Sequence, residues 1–398
     1  MKNFNRIKKW IDPRVRRSIY LLFFSVGLFI FSPGSFSQAD SLSPDVKKKF
    51  MNYLNNFNVS VYLDVYYAMN LNKPSGDTSN LREFAGNCPF IDEFRLNVAS
   101  IWLGYSSKNF RGKLRVQYGD IPDLRAAPNE QFIKHMKEAH FGFRAYKTLW
   151  IDFGYIPNPI GYESSYPILN QISTMTVGGY FETGNFLGLK ASAQITPSFY
   201  AGLYIGNQYT LAYGKNKHIY GGITLLYNYK DIFSVNYNNM IGNASLVTNK
   251  TDHFYLYNNI ILTSKPVKNL LLVGEVDFGV YGNSNKPPDT TKASSGISGF
   301  LQATYRFTNW FATSIRGEYL SDPGATMTPL YAYDGKLRGL LTYGGTVGVE
   351  FNPVPYSYIR AEYSYLSADK GNMVFNGNLT DDNHGLTFSA GIRFGTFK

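Results

Sequence analysis

Hydrophobic and polar residues alternate along most of the chain, nowhere more plainly than over 386–394. There Leu386, Phe388, Ala390, Ile392 and Phe394 fall on one parity, and Thr387, Ser389, Gly391 and Arg393 on the other. Period-two alternation predicts a strand with one apolar and one polar face. The stretch ends on an aromatic residue close to Lys398, where a transmembrane barrel has its closing strand, with Phe394 or Phe397 as the terminal aromatic.

The same rhythm begins at Phe57, with Val59, Val61, Leu63, Val65 and Tyr67 on one face and Asn58, Ser60, Tyr62, Asp64 and Tyr66 on the other. A second segment opens with Phe94, Leu96 and Val98 and changes phase near Ser100, as a bulge would make it do. Tight turns are read at 106–109, 146–148, 196–198, 230–231, 265–266, 308–309 and 352–353, and long connections separate the hairpins. Sixteen segments result, most of them near the roughly 9 to 11 residues that a tilted membrane strand needs. A soluble sandwich requires neither an even count nor strict alternation of short and long connections. The pattern predicts an all-β fold: a transmembrane antiparallel up-and-down β-barrel of 16 strands, with short periplasmic turns and long extracellular loops. The closing stretch is expected to pair with the first strand, and the barrel to occupy 57–398.

The N-terminus breaks the pattern. Seven basic residues from Lys2 to Arg17 precede an apolar run of thirteen, Ile19 to Phe31, and small residues suited to cleavage after Ser37 or Ala39. This is the layout of a secretory signal peptide over 1–39, and the run falls short of the roughly 20 residues of a spanning helix. A polar lead-in over 40–56, expected in the periplasm, follows. Export without a spanning helix agrees with the outer membrane of a Gram-negative bacterium.

Composition narrows the picture. Aromatic residues make up 17%, with 32 Tyr and 4 Trp, and there are 37 Gly. A mean hydropathy of -0.22 is too polar for a helical membrane protein and suits strands with one wet side. The formal charge of +11 is inflated by the signal: without its seven basic residues and Asp12, 32 basic residues face 27 acidic ones, near +5. Nothing in that balance calls for nucleic acid. Cys88 is the only cysteine, so an internal disulfide is excluded.

Several stretches resemble one family: 62–74 (YLDVYYAMNLNKP), 151–164 (IDFGYIPNPIGYES), 180–184 (YFETG), 316–323 (RGEYLSDP) and 359–367 (IRAEYSYLS). Together they are similar to the OmpL-like beta-barrel porins of type 2 over nearly the whole mature chain, with 173–179 departing from the pattern. The resemblance implies an outer-membrane porin-like channel and leaves its solute open.

A water-filled lumen solvates charges that the lipid face does not hold, so inward charges carry the functional expectation. On the inward parity Arg95, Lys113, Arg115 and Arg144 form a basic wall, and Glu275 and Asp277 an acidic one. The third and eleventh of sixteen strands are diametrically opposite, so the two walls either set a transverse field or pair locally with neighbouring strands. Arg316, Glu318, Glu350, Arg360, Glu362 and Arg393 read as a lumen ion-pair ladder on adjacent strands. The connection over 156–185 has no Lys or Arg, holds Glu163 and Glu182, and is rich in Ile, Tyr, Met and Phe. So apolar a loop either folds into the lumen as a constriction, with Glu163 or Glu182 toward the basic wall, or packs on the rim or a neighbouring subunit.

Enzymatic signals are weak. The segment 135–140 (HMKEAH) lacks the spacing of a zinc motif and enters a strand, 178–188 lacks the Lys-Ser/Thr of a phosphate loop, and no Ser–His pair is marked out. The sequence therefore calls for no catalytic residue, metal or cofactor. Its expected partners are small hydrophilic solutes or ions and outer-membrane lipid, and a homo-oligomer, a trimer included, is compatible with it. The leading expectation is a porin for passive diffusion; the alternative is a structural or adhesion-type barrel with a narrow or plugged lumen.

Overall fold

The computed structural model describes residues 54–73, 80–125, 133–207, 219–243, 254–282, 292–333, 336–369 and 373–396. The expected signal segment over 1–39 and the lead-in up to residue 53 lie outside the described residues. Residues 58–398 form one unit. Its first nine strands are β1 (Phe57–Asn70), β2 (Phe94–Ser106), β3 (Phe110–Tyr118), β4 (Met136–Tyr146), β5 (Leu149–Pro157), β6 (Asn185–Thr196), β7 (Phe199–Asn207), β8 (Ile219–Tyr229) and β9 (Phe233–Asn243). Then come β10 (Phe254–Val267), β11 (Leu270–Tyr281), β12 (Ser294–Arg306), β13 (Phe311–Ser321), β14 (Tyr331–Tyr333), β15 (Lys336–Arg338), β16 (Leu341–Phe351), β17 (Ser357–Ala368) and β18 (Asp382–Gly395). Two short helices, α1 (Asp120–Arg125) and α2 (Val177–Phe181), sit in connections.

Sixteen of these strands close into one barrel in chain order, and β14–β15 form a separate hairpin in the connection before β16. That hairpin leaves no period-two signature of useful length, so alternation does not reveal it. The barrel seals where expected: β18 lies antiparallel on β1, with Val61 opposite Phe394 and Met69 opposite Leu386.

The strands turn their apolar parity outward. Leu63, Val65, Leu203, Leu301, Ile315 and Phe394 are exposed, and the charges of the barrel strands stand on inward positions, apart from Lys137 beside a register shift in β4 and Asp382 at the start of β18. A Lys or Arg on the lipid face at the bilayer midplane would cost about 2–4 kcal/mol. At the periplasmic end Trp310 and Phe311 pack on Phe351, as in an interfacial aromatic belt. The phase change in β2 falls earlier than the alternation suggests. Val98, expected on the outward face, is fully buried with Tyr62, Trp102, Ile121 and Tyr166. Two adjacent buried residues, Asn97 and Val98, mark the irregularity, and Gly119 permits it, because a Cβ there would lie 2.6 Å from the Asn97 carbonyl.

Since β1 and β18 satisfy each other's backbone groups in a medium without water, deleting 386–396 should abolish the folded band that resists unheated detergent electrophoresis. A folded band from that truncation would contradict the closure.

Candidate functional site

The connection between β5 and β6 enters the barrel, and its conformation follows from its own polar residues. Glu163 accepts hydrogen bonds from the Thr176 backbone N–H (2.8 Å) and hydroxyl (2.7 Å), which draws the two limbs of the loop together. Thr176 caps α2 by accepting from the Gly179 N–H at 2.9 Å. Gly161, at φ +88°, runs so close to Glu182 that any Cβ would overlap its carboxylate.

Side chains of the barrel wall hold this loop on several sides. Arg316 of β13 pairs with Glu163 at 2.6 Å and donates to the Thr174 carbonyl at 2.7 Å. Glu318 accepts from the Val177 N–H at 2.7 Å, and Glu362 of β17 from the N–H groups of Ser173 and Thr174 and the Thr174 hydroxyl. Arg360 donates to the carbonyls of Pro167 and Asn170 while pairing with Glu350 at 2.6 Å. Beyond the β1–β18 closure, the Tyr62 hydroxyl accepts from the Ile168 N–H at 3.1 Å, and Tyr166 packs on Tyr62 and Trp102 and donates to Gln117. Toward the mouth, Phe84 gathers Tyr180, Phe181, Tyr331 and Phe375 into an apolar cluster. Ile160, Tyr166, Ile172, Met175 and Val177 of the loop are thus buried inside the barrel and its mouth, whereas Leu169 stays exposed.

The ladder read from sequence is divided among these tasks. Arg316–Glu318 at 3.7 Å and Glu350–Arg360 are ion pairs, and Arg306 joins the second at 2.9 Å. Glu362 instead receives backbone N–H groups of the loop, and Arg393 stacks over Trp102 at 4.1 Å and donates to Ser60.

The two charged walls are likewise built with local partners. Arg95 is chelated by Asp120, with bonds of 2.8 and 2.7 Å, and Glu93 accepts at 2.9 Å. Arg115 meets Glu138 Oε2 at 3.1 Å, while Lys113 at 3.9 Å and His140 at 2.7 Å share Oε1. Arg111 grips Asp152. This pair needs Gly142 between its strands, where a Cβ would stand 2.2 Å from the Asp152 carboxylate. Arg144 lies over Trp150 at 5.0 Å. Inward cations of β3–β6 (Arg111, Lys113, Arg115, Arg144 and Lys190) still outnumber the carboxylates Glu138 and Asp152. They are also wetter: the Lys113 side chain is 54% exposed, against 1% for Arg316 and 3% for Arg360. Compared with Arg316 and Arg360, the cations of β3–β6 are thus the hydrated ones.

On the opposite side Glu275 and Asp277 are buried, and Asn259 donates to both at 2.6 and 2.8 Å. Ser298 donates to Asp277, and the Tyr162 N–H to Glu275 at 2.9 Å. The sequence directs Glu163 or Glu182 toward the basic wall; Glu163 is instead committed to Arg316, and Glu182 lies against the acidic wall. Oxygens of Glu182, Glu275 and Asp277 lie within 4.8 Å of one another. Such a set has the donor chemistry of a hard divalent cation, yet an uncharged Glu182 hydrogen-bonded to Glu275 also satisfies it.

Arg111, Glu138, Asp152, Lys190 and the inward indoles Trp102 and Trp150 were not singled out in the sequence. Strand parity was the available signal, because Arg111 shares the parity of Lys113 and Arg115, and Asp152 that of Trp150.

A family profile, beta-barrel porin-2, OmpL-like, matches residues 56–394. The chain belongs to that family. It is an outer-membrane channel protein. No curated protein matches it. Among solved structures it is similar to OmpF of Salmonella typhi in complex with daunomycin (TM-score 0.59, 12% identity, 85% of this chain and 97% of that chain). The outer-membrane channel DcaP of Acinetobacter baumannii follows at TM-score 0.55 and 10% identity, over 85% and 96% of the two chains. An anion-selective porin from Comamonas acidovorans gives 0.53 and 8%, over 85% and 98%. At such identities the likeness establishes the barrel fold and leaves the lumen residues to be read from this chain alone.

Loss of hydration, together with the charges of Glu275, Asp277 and Glu163, pushes the Glu182 carboxyl well above its ordinary value of 4.5. A raised acid contributes stability that is fully present below the ordinary value and is lost as pH rises through the raised one. The heat needed to unfold the barrel on a gel should therefore fall as pH climbs above about 4.5, and Glu182→Gln should flatten the decline. An equal slope in the variant would contradict the assignment.

Proposed function

We propose that the protein is a passive porin in which the β5–β6 loop constricts the lumen and small hydrophilic solutes or ions pass along the β3–β6 wall. The observation that carries this is the asymmetry of hydration: the loop is bound into β11–β18 and β1–β3, whereas the cations of β3–β6 are the hydrated ones. Arg95, Lys113, Arg115 and Arg144 are pore-lining in this reading, and Glu275 and Asp277 anchor the loop rather than face the solute. Because each basic side chain except Arg144 has a carboxylate partner nearby, the transverse field is weaker than six bare charges would give, and net positive on the conducting side. The chain is a channel rather than an enzyme. Export by cleavage after Ser37 or Ala39 and assembly into a homo-oligomer complete the proposal.

One observation favours a second reading, a plugged barrel with a structural or adhesive role. Tyr62, Asp64, Arg316 and Arg360 are nearly inaccessible inside the lumen, so one side of it is packed like a protein core.

Planar-bilayer conductance separates the two readings, since a plugged barrel passes no steady current. Deleting 164–178 should raise the single-channel conductance several-fold, and a wild-type value would contradict the constriction. Replacing Lys113 and Arg115 with Gln should move the reversal potential in a salt gradient toward cation selectivity, the more so because Glu138 then keeps His140 but neither of its strand β3 cations. An unmoved potential would remove those two residues from the pathway.

A further inference from the structure

We propose that the periplasmic end of the β3–β6 wall is a binding station for small organic carboxylates, an inference that rests on the channel reading for its role but not for its detection. A cavity of about 260 Å³ is lined there by Arg111, Arg144, Lys147, Trp150, Ser192 and Tyr200, among others. The barrel register builds it: Arg144 of β4 lies directly opposite Trp150 of β5, and Trp150 opposite Ser192 of β6. Two guanidinium groups share one indole, Arg111 at 4.6 Å and Arg144 at 5.0 Å from the ring centroid. A guanidinium laid against an aromatic face keeps its N–H edge free for a planar, bidentate acceptor, the geometry a carboxylate offers.

The charge state of the pocket singles out an anion. Arg111 is neutralised by Asp152. Among the described residues, the Arg144 guanidinium makes no ion pair or hydrogen bond, and the Lys147 ammonium pairs only with the Tyr146 ring, at 5.1 Å. Two cations without counter-charge thus border a concave site that also offers the Ser192 and Tyr200 hydroxyls. The volume lies just under the range of about 300–1,000 Å³ typical of drug-sized ligands, so the occupant is small, and Trp150 gives its apolar part a flat surface. Along β3, Arg115, Lys113 and Arg111 descend toward this pocket at about 7 Å steps, the repeat of alternate residues on a strand. Arg115 is itself stacked at 4.2 Å on Trp102, which Arg393 also approaches at 4.1 Å. An anion leaving one guanidinium therefore meets the next before losing the first, which keeps each hold weak enough for release.

The test uses the folded full-length barrel in detergent, titrated calorimetrically with benzoate and with benzamide, its uncharged counterpart. Benzoate should bind measurably and benzamide at least tenfold more weakly. The double substitution Arg144→Gln with Lys147→Gln strands no carboxylate, because neither residue has one, so the heat-shifted band of the folded barrel should persist. It should weaken benzoate binding about tenfold and shift the reversal potential toward cations. Trp150→Leu should weaken benzoate binding while leaving the reversal potential within a few millivolts of wild type. Equal binding of benzoate and benzamide, or undiminished binding by the folded double variant, would overturn the station. Benzoate binding by a barrel that passes no current in bilayers would keep the station and overturn the channel reading. Current without benzoate binding would do the reverse.

Discussion

Everything in this molecule depends on the absence of water in the bilayer core. Each strand's N–H and C=O groups must find partners on neighbouring strands, and a sheet can satisfy all of them only by returning to its first strand. The pairing of β18 with β1 meets that demand and turns an alternating sequence into a vessel. Alternation then sorts the residues without further instruction: one parity dissolves in lipid, and the other is left with whatever the interior provides.

The interior provides two environments. Toward β11–β18 the inward loop supplies backbone N–H and C=O groups to Arg316, Glu318, Arg360 and Glu362, and the charges are compensated much as in a soluble protein core. Removing one partner there would leave a buried charge unpaired, at a cost of about 3–5 kcal/mol. Toward β3–β6 the cations are more hydrated although Glu138 and Asp152 beneath them are buried, and Arg144, which holds no carboxylate, can be lost without stranding a partner. The contrast separates residues that hold the constriction from residues that face the solute.

The barrel was legible because period two is imposed on nearly every strand by the same physical demand. What escaped were features set by contacts between elements distant in sequence. Val98 turns inward because an irregularity in β2 shifts the phase by one residue, and only the partner backbone near Gly119 reveals where. Glu182 has the composition of a residue destined for a basic wall, yet the path of the loop lays it against Glu275 and Asp277. Charge alone cannot supply that path. The pairing of Arg111 with Asp152 depends on the missing side chain of Gly142, a relation across strands that no one-dimensional pattern carries. Parity predicts which way a side chain points; its partner depends on register, and register is fixed only when the cylinder exists.

The inward loop also measures the barrel from within. Its Ile168 amide reaches Tyr62 on the first strand, while its Ser173 and Thr174 amides reach Glu362 on β17 and its Tyr162 amide reaches Glu275 on β11. These anchor points hold their mutual distances only at one circumference. A cylinder that closed a hairpin short or long would leave some of these amides without acceptors and carboxylates without donors. The loop thus acts as an internal gauge, rewarding the correct number of staves and penalising every miscount, at a stage when the membrane-facing surface would accept either.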